Sequence, residues 1–247
     1  MATLRVRADL VNHWEEDYVN DSTLTKTCPL VRISPYYLLG SYACVGLSDE
    51  GSFDHSAADR VIKRKVTRHI SQVTIAGQKI DSKNVFQSRD LKIFLVKLDP
   101  DNSSLRKAIE GKPAVNLFVP KDPGTIKTLF SDVILNRKEV CGSGRTCADD
   151  LTIGKCIPDK GCFELKGTVI RGASGDPLFG TRLEKNTYEY LLGFNVTDVE
   201  RDNRKKGTQY HFFTNDTLKF LKDKMGENSE DWRQVNKKKV SEDYFKE

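Results

Sequence analysis

The stretch Val61-Ile-Lys-Arg-Lys-Val-Thr-Arg-His-Ile-Ser-Gln-Val-Thr-Ile-Ala-Gly-Gln-Lys-Ile80 sets the fold class, because its β-branched residues recur in alternation with polar ones. A period of two puts apolar side chains on one face of an extended chain, the pattern of a half-buried strand. On either side the apolar runs are short, β-branched or aromatic, and bounded by turn residues. They are Leu30–Ile33, Tyr36–Leu39, Ile93–Leu98, Val115–Val119, Thr128–Leu135, Leu165–Ile170, Tyr188–Val196 and Tyr210–Phe213. Spacings near ten residues predict an all-β sandwich or barrel rather than alternating βαβ units. One good helix is expected, near the end. Asn215, Asp216 or Thr217 caps it, and Leu218, Leu221 and Met225 share a face. No internal repeat appears. A charged loop, residues 198–207, separates two strand candidates, and beyond Gly226 the chain turns polar and lysine-rich, as a solvated tail would.

The chain has 247 residues, enough for one large domain or two small ones. At 38% hydrophobic residues and a mean hydropathy of −0.52 it holds a sizeable core but is too polar for a membrane protein. No run approaches the roughly 18 apolar residues of a spanning helix. Seventeen Gly and eight Pro, with no triplet or heptad period, exclude collagen and coiled-coil classes. Lys+Arg 40 against Asp+Glu 35 gives +5, which reads first as a mixed soluble surface.

Six cysteines, at 28, 44, 141, 147, 156 and 162, suggest three disulfides and an oxidising compartment. No CxxC pair or nearby histidine supports zinc, and no motif asks for a cofactor. Sequons at Asn20, Asn102, Asn195 and Asn215 point to the same compartment. The first thirty residues contain no apolar h-region, so a secreted protein would here be numbered after a removed signal peptide.

The segment Gly172-Ala-Ser-Gly-Asp-Pro-Leu178 resembles the nucleophile segment Gly-Asp-Ser-Gly-Gly-Pro-Leu of the trypsin-like serine proteases. Arg32-Ile-Ser-Pro-Tyr-Tyr-Leu-Leu-Gly-Ser-Tyr-Ala-Cys44 looks like the family's strand and loop ending Val-Val-Thr-Ala-Ala-His-Cys. Arg89-Asp90-Leu-Lys-Ile-Phe-Leu-Val-Lys-Leu98 is similar to its Asn-Asp-Ile-Ala-Leu-Leu-Lys-Leu strand. The close Gln209-Tyr-His-Phe-Phe before a terminal helix also matches. The resemblance covers residues 25–225, flanked by an N-terminal segment (1–24) and a C-terminal tail (226–247). It implies the chymotrypsin-like double six-stranded β-barrel, with Ala43 and Asp90 in the first barrel and Ser174 in the second. It also implies a Cys28–Cys44 disulfide around the family's histidine loop. By themselves the last four cysteines allow three connectivities; the resemblance pairs Cys147 with Cys162 and so leaves Cys141 with Cys156.

The family's chemistry needs an imidazole to take the serine proton and a carboxylate to orient that imidazole. Carried over position by position, Ser174 stands for the nucleophile, Asp90 for the acid, and Gly172 and Ser174 for oxyanion-hole amides. Ala43 stands where the histidine belongs, and a methyl group neither accepts nor donates a proton. Further departures fall on the same site. Ala173 replaces the aspartate that pairs with a new N-terminus, and Asp176 replaces the second glycine. Thr168 stands at the pocket-acid position, and Val196-Thr197-Asp198 stands in place of Ser-Trp-Gly. An α/β-hydrolase elbow is excluded, because Asp176-Pro177 follow Ser174-Gly175 where that elbow needs its second glycine and a helix.

Three functions are weighed. The first is a secreted, non-catalytic protease homologue that binds a protein partner, such as an active protease or its substrate. The second is an active endopeptidase using His55, eleven residues after Cys44, as base; that residue reads first as an exposed loop histidine, and His69 as a strand residue. The third is a polyanion binder using Arg201–Lys206 and Lys237–Lys239. No specific nucleic-acid motif and no membrane span are expected.

Overall fold

The computed structural model describes residues 3–14, 22–45, 49–55, 60–120, 132–135, 138–139, 152–155, 162–166, 174–181, 189–198 and 208–240. The alternating stretch forms β5 (Arg60–Ile75), which pairs antiparallel with β1 (Thr3–Trp14) and β4 (Asp49–His55). It turns through Ala76 and Gly77, both at positive φ, into β6 (Gln78–Ile80). Two consecutive positive-φ residues give a two-residue hairpin the twist its strands need. β1 continues through β2 (Ser22–Arg32) and β3 (Tyr37–Ser41) to β8 (Ile93–Lys97) and then β7 (Val85–Ser88). The result is one eight-stranded sheet, ordered β4-β5-β1-β2-β3-β8-β7 with β6 on β5.

Its two faces build two cores. Along β3 and β8 the side chains alternate between clusters. Leu38, Phe94 and Val96 join Cys28, Leu30, Ile70, Val73 and Ile75 inside the curl of the sheet. Tyr37, Leu39, Ile93 and Leu95 point outward and pack with Phe179, Leu191 and Phe194 of the second sheet. Burial on both faces explains why these strands read as unbroken apolar runs. Among the described residues no backbone ladder closes the curled sheet. Instead the Gln87 side-chain amide on β7 accepts from Ile70 N (3.4 Å) and donates to Ile70 O (3.3 Å) on β5.

The second sheet has nine strands. Its main path runs β11 (Lys138–Glu139), β10 (Asp132–Leu135), β14 (Pro177–Thr181), β15 (Glu189–Asp198), β16 (Thr208–Phe212), β13 (Cys162–Lys166) and β12 (Thr152–Lys155). β9 (Asn116–Phe118) lies parallel to β15, and β17 (Lys239–Val240) lies parallel to β9. The described residues are therefore rich in strands, as expected, and form two sheets of eight and nine strands with no closed barrel among them.

Among the described residues four α-helices accompany the sheets: α1 (Tyr42–Val45), α2 (Ser103–Ile109), α3 (Asn215–Met225) and α4 (Glu230–Lys238). The expected terminal helix is α3, burying Leu218, Leu221 and Met225. Its cap is Thr214, one residue before the expected candidates. Thr214 accepts from Thr217 N, and the Thr217 hydroxyl accepts from Thr214 N, so two otherwise orphaned donors are satisfied reciprocally.

Both expected flanks belong to the fold. Residues 3–14, within the N-terminal segment, form a strand between β2 and β5. Residues 226–240 form α4 and β17 rather than a solvated tail; Trp232 and Val235 enter the inter-sheet core, and Val119 N donates to Val240 O (3.0 Å). Among the described residues no helix is long and apolar enough to cross a membrane.

Candidate functional site

β3 ends at Ser41 and the chain turns into the single-turn helix α1, whose start is pinned by Ala43 N donating to Ser41 Oγ (3.1 Å). Tyr42 N donates to Lys92 O (2.8 Å), and Lys92 N donates to Arg89 O (3.0 Å). The Arg89–Lys92 turn that carries Asp90 is thus bonded to the residue beside Ala43. Cys44 is joined to Cys28 on β2, with Cα atoms 5.8 Å apart, which is the disulfide the resemblance implied.

The Ser174 turn arrives from the second sheet. Gly175 N donates to Asn195 O (2.6 Å), and Asn195 N donates to Asp176 O (2.8 Å), so the turn is clamped to β15. Gly175 has φ +89 and lies against Cys44. A methyl group on it would sit 3.0 Å from both Cα and N of Cys44 and closer still to its Cβ. A side chain is therefore refused twice, by backbone conformation and by contact. The turns bearing Ala43, Asp90 and Ser174 are contiguous.

The side chains in that arrangement do not form a relay. Ala43 is 6% exposed and presents only its methyl. Asp90 is exposed and Ser174 half-buried. Among the described residues neither side chain makes a hydrogen bond or ion pair. An orienting carboxylate needs an imidazole to orient, and a serine hydroxyl needs an acceptor for its proton; among the described residues neither bond is made.

Two histidines meet the turn that carries Asp90, at Arg89 and at Lys92, and not at Asp90 itself. His13 and His55 are described only as strand positions, opposite Thr67 and Arg60. His69 is exposed, its Nδ1 2.9 Å from Arg89 Nη2. His211, on β16, meets Lys92 across the seam between the sheets, Nζ to Nε2 3.0 Å. An ammonium has no acceptor, so this bond requires Nε2 to accept and the ring to be neutral. The sequence had offered no reason to pair positions 119 residues apart. Lys92 itself sits at φ +53, held there by the turn that shapes the Asp90 loop.

Gly172, Ala173 and Thr168, the sequon Asn20, Arg201–Lys206, and Cys141, Cys147 and Cys156 lie outside the described residues; Cys162 is described as a position on β13. Asn102 caps α2, accepting from Leu105 N (3.0 Å), and Asn215 is exposed on the first turn of α3. Asn195 is wholly buried, so this fold does not present that sequon to a glycan. In the lysine-rich stretch, Lys238 donates to Ala114 O (3.2 Å) and serves the fold. Among the described residues no group of His, Cys, Asp and Glu is placed to hold a metal ion. In comparisons with known proteins, no family model and no curated protein matches the chain.

Proposed function

We propose that this chain is a catalytically inactive homologue of the chymotrypsin-like serine proteases, working in an extracellular setting by binding a protein partner. The observation that carries the reading is the contact of Gly175 with Cys44. It brings the turn of the nucleophile-like Ser174 against the turn where Ala43 stands in place of a base. The eight- and nine-stranded sheets correspond, on this reading, to the two barrels of that architecture. The Cys28–Cys44 disulfide supports an oxidising compartment.

The test is hydrolysis of a panel of peptide esters by the full chain and by Ala43→His. Both are expected to be inactive. Triad groups act as a unit, and restoring one leaves the altered loop at Ala173 and Asp176 and the altered strand at Val196-Thr197-Asp198 unchanged. Turnover by the unaltered chain that disappears in Ser174→Ala would overturn the reading.

A further inference from the structure

Arg32, at the end of β2, spends its guanidinium on main-chain carbonyls. Nε donates to Ser34 O (3.1 Å), Nη1 to Lys112 O (2.7 Å) and Ile109 O (3.3 Å), and Nη2 to Pro35 O (3.3 Å). One planar cation thus fastens the 33–36 turn to the chain at the end of α2. Between them opens a cleft of about 390 Å³, within the size range of ligand sites. One wall is Pro35 and Tyr36; the other carries Ser103, Arg106 and Lys107, with Glu110 the single carboxylate.

Two features separate this cleft from an ordinary solvated surface. Tyr36 is 37% exposed and is the large hydrophobic residue left open to water among the described residues. Arg106 and Lys107 make no ion pair among the described residues, although Glu110 lines the same cleft. Basic residues in a last helical turn complement the helix dipole, but that role needs neither a cleft nor an aromatic wall beside them.

We propose that this cleft binds an acidic segment of a partner protein. Its carboxylates meet Arg106 and Lys107, and an adjacent apolar side chain lies on Tyr36 and Pro35. Aromatic and arginine anchors in one concave patch are the residues that dominate protein recognition, and complementary charge supplies specificity and encounter rate. A sulfated polysaccharide fits less well. Polyanion affinity grows with the number of neutralised charges, whereas here two unpaired cations stand next to a carboxylate. The proposal rests on the cleft's own geometry and shares no residue with Ala43, Asp90 or Ser174, so a peptidase result leaves it untouched.

The experiment is fluorescence anisotropy of a labelled peptide in which glutamates flank a phenylalanine, titrated with the full chain. Saturable binding that weakens with salt is expected. Arg106→Gln/Lys107→Gln and, separately, Tyr36→Ala should each weaken it about tenfold, with melting temperatures near that of the unaltered chain. A peptide with glutamines for glutamates should not compete. No saturable binding, or equal affinity for the double variant at unchanged melting temperature, would overturn the proposal. So would a heparin oligosaccharide that binds through Arg106 and Lys107 while the peptide does not.

Discussion

At Gly175 the two conditions on the residue can be separated by experiment. Gly77 also has positive φ (+78) but a methyl group there would meet nothing within 4 Å, whereas one on Gly175 would meet Cys44. Gly77→Ala should therefore cost about 1 kcal/mol of backbone strain, and Gly175→Ala roughly 2 kcal/mol more from the forced separation of the two turns. Urea denaturation of both variants checks this; equal losses would mean that the turns do not touch. Tyr37 makes a second prediction. Its phenol is held above the usual tyrosine range, first by burial and then by the Asp231 carboxylate. The unfolded chain ionises this group near pH 10 while the folded chain resists. Stability is therefore full below that pH and falls as pH rises through it. Tyr37→Phe should show a shallower loss of urea midpoint between about pH 9 and pH 11.

The elements divide by the strength of their pattern. Strands buried on both faces, such as β3 and β8, were legible because every residue in Tyr37-Leu-Leu and Ile93-Phe-Leu-Val is apolar. β1 is absent from the expected strands although Leu4, Val6, Ala8 and Leu10 alternate, because Arg5, Arg7 and Asp9 interleave them and no unbroken apolar run marks the stretch. Its register against β2, Val6 opposite Cys28 and Leu10 opposite Leu24, shows that the alternation was the signal. α4 was hidden for another reason. It buries only Trp232 and Val235, one turn apart, and its other residues are charged or amide. An apolar stripe that narrow gives little periodicity, and tertiary packing supplies its stability. Trp232→Ala should thus cost roughly 3 kcal/mol, seen as a lowered melting temperature. A tail free of the core would lose nothing. Thr214→Ala, removing the cap of α3, should cost about 1 kcal/mol.

Across the whole molecule the site lies where the two sheets share a core, and three loops from separate parts of the chain reach it. Order along the chain made those loops legible: Ala43 before Cys44, Asp90 before a buried strand, and Ser174 before Gly175. Their contiguity was not, because it depends on Gly175 seating against Cys44 and on Tyr42 N reaching Lys92 O. The same non-locality hid the Arg32 anchor and the Lys92–His211 pair. The central claim is that Ser174 has no base and is not a nucleophile. Fluorophosphonate labelling of the purified chain, followed by mass mapping of the modified peptide, tests it most directly, since the probe reports an activated serine without requiring a substrate pocket. The account predicts no adduct at Ser174 under conditions that saturate an active serine protease. A covalent adduct on Ser174, formed in the unaltered chain and absent in the denatured one, would contradict it.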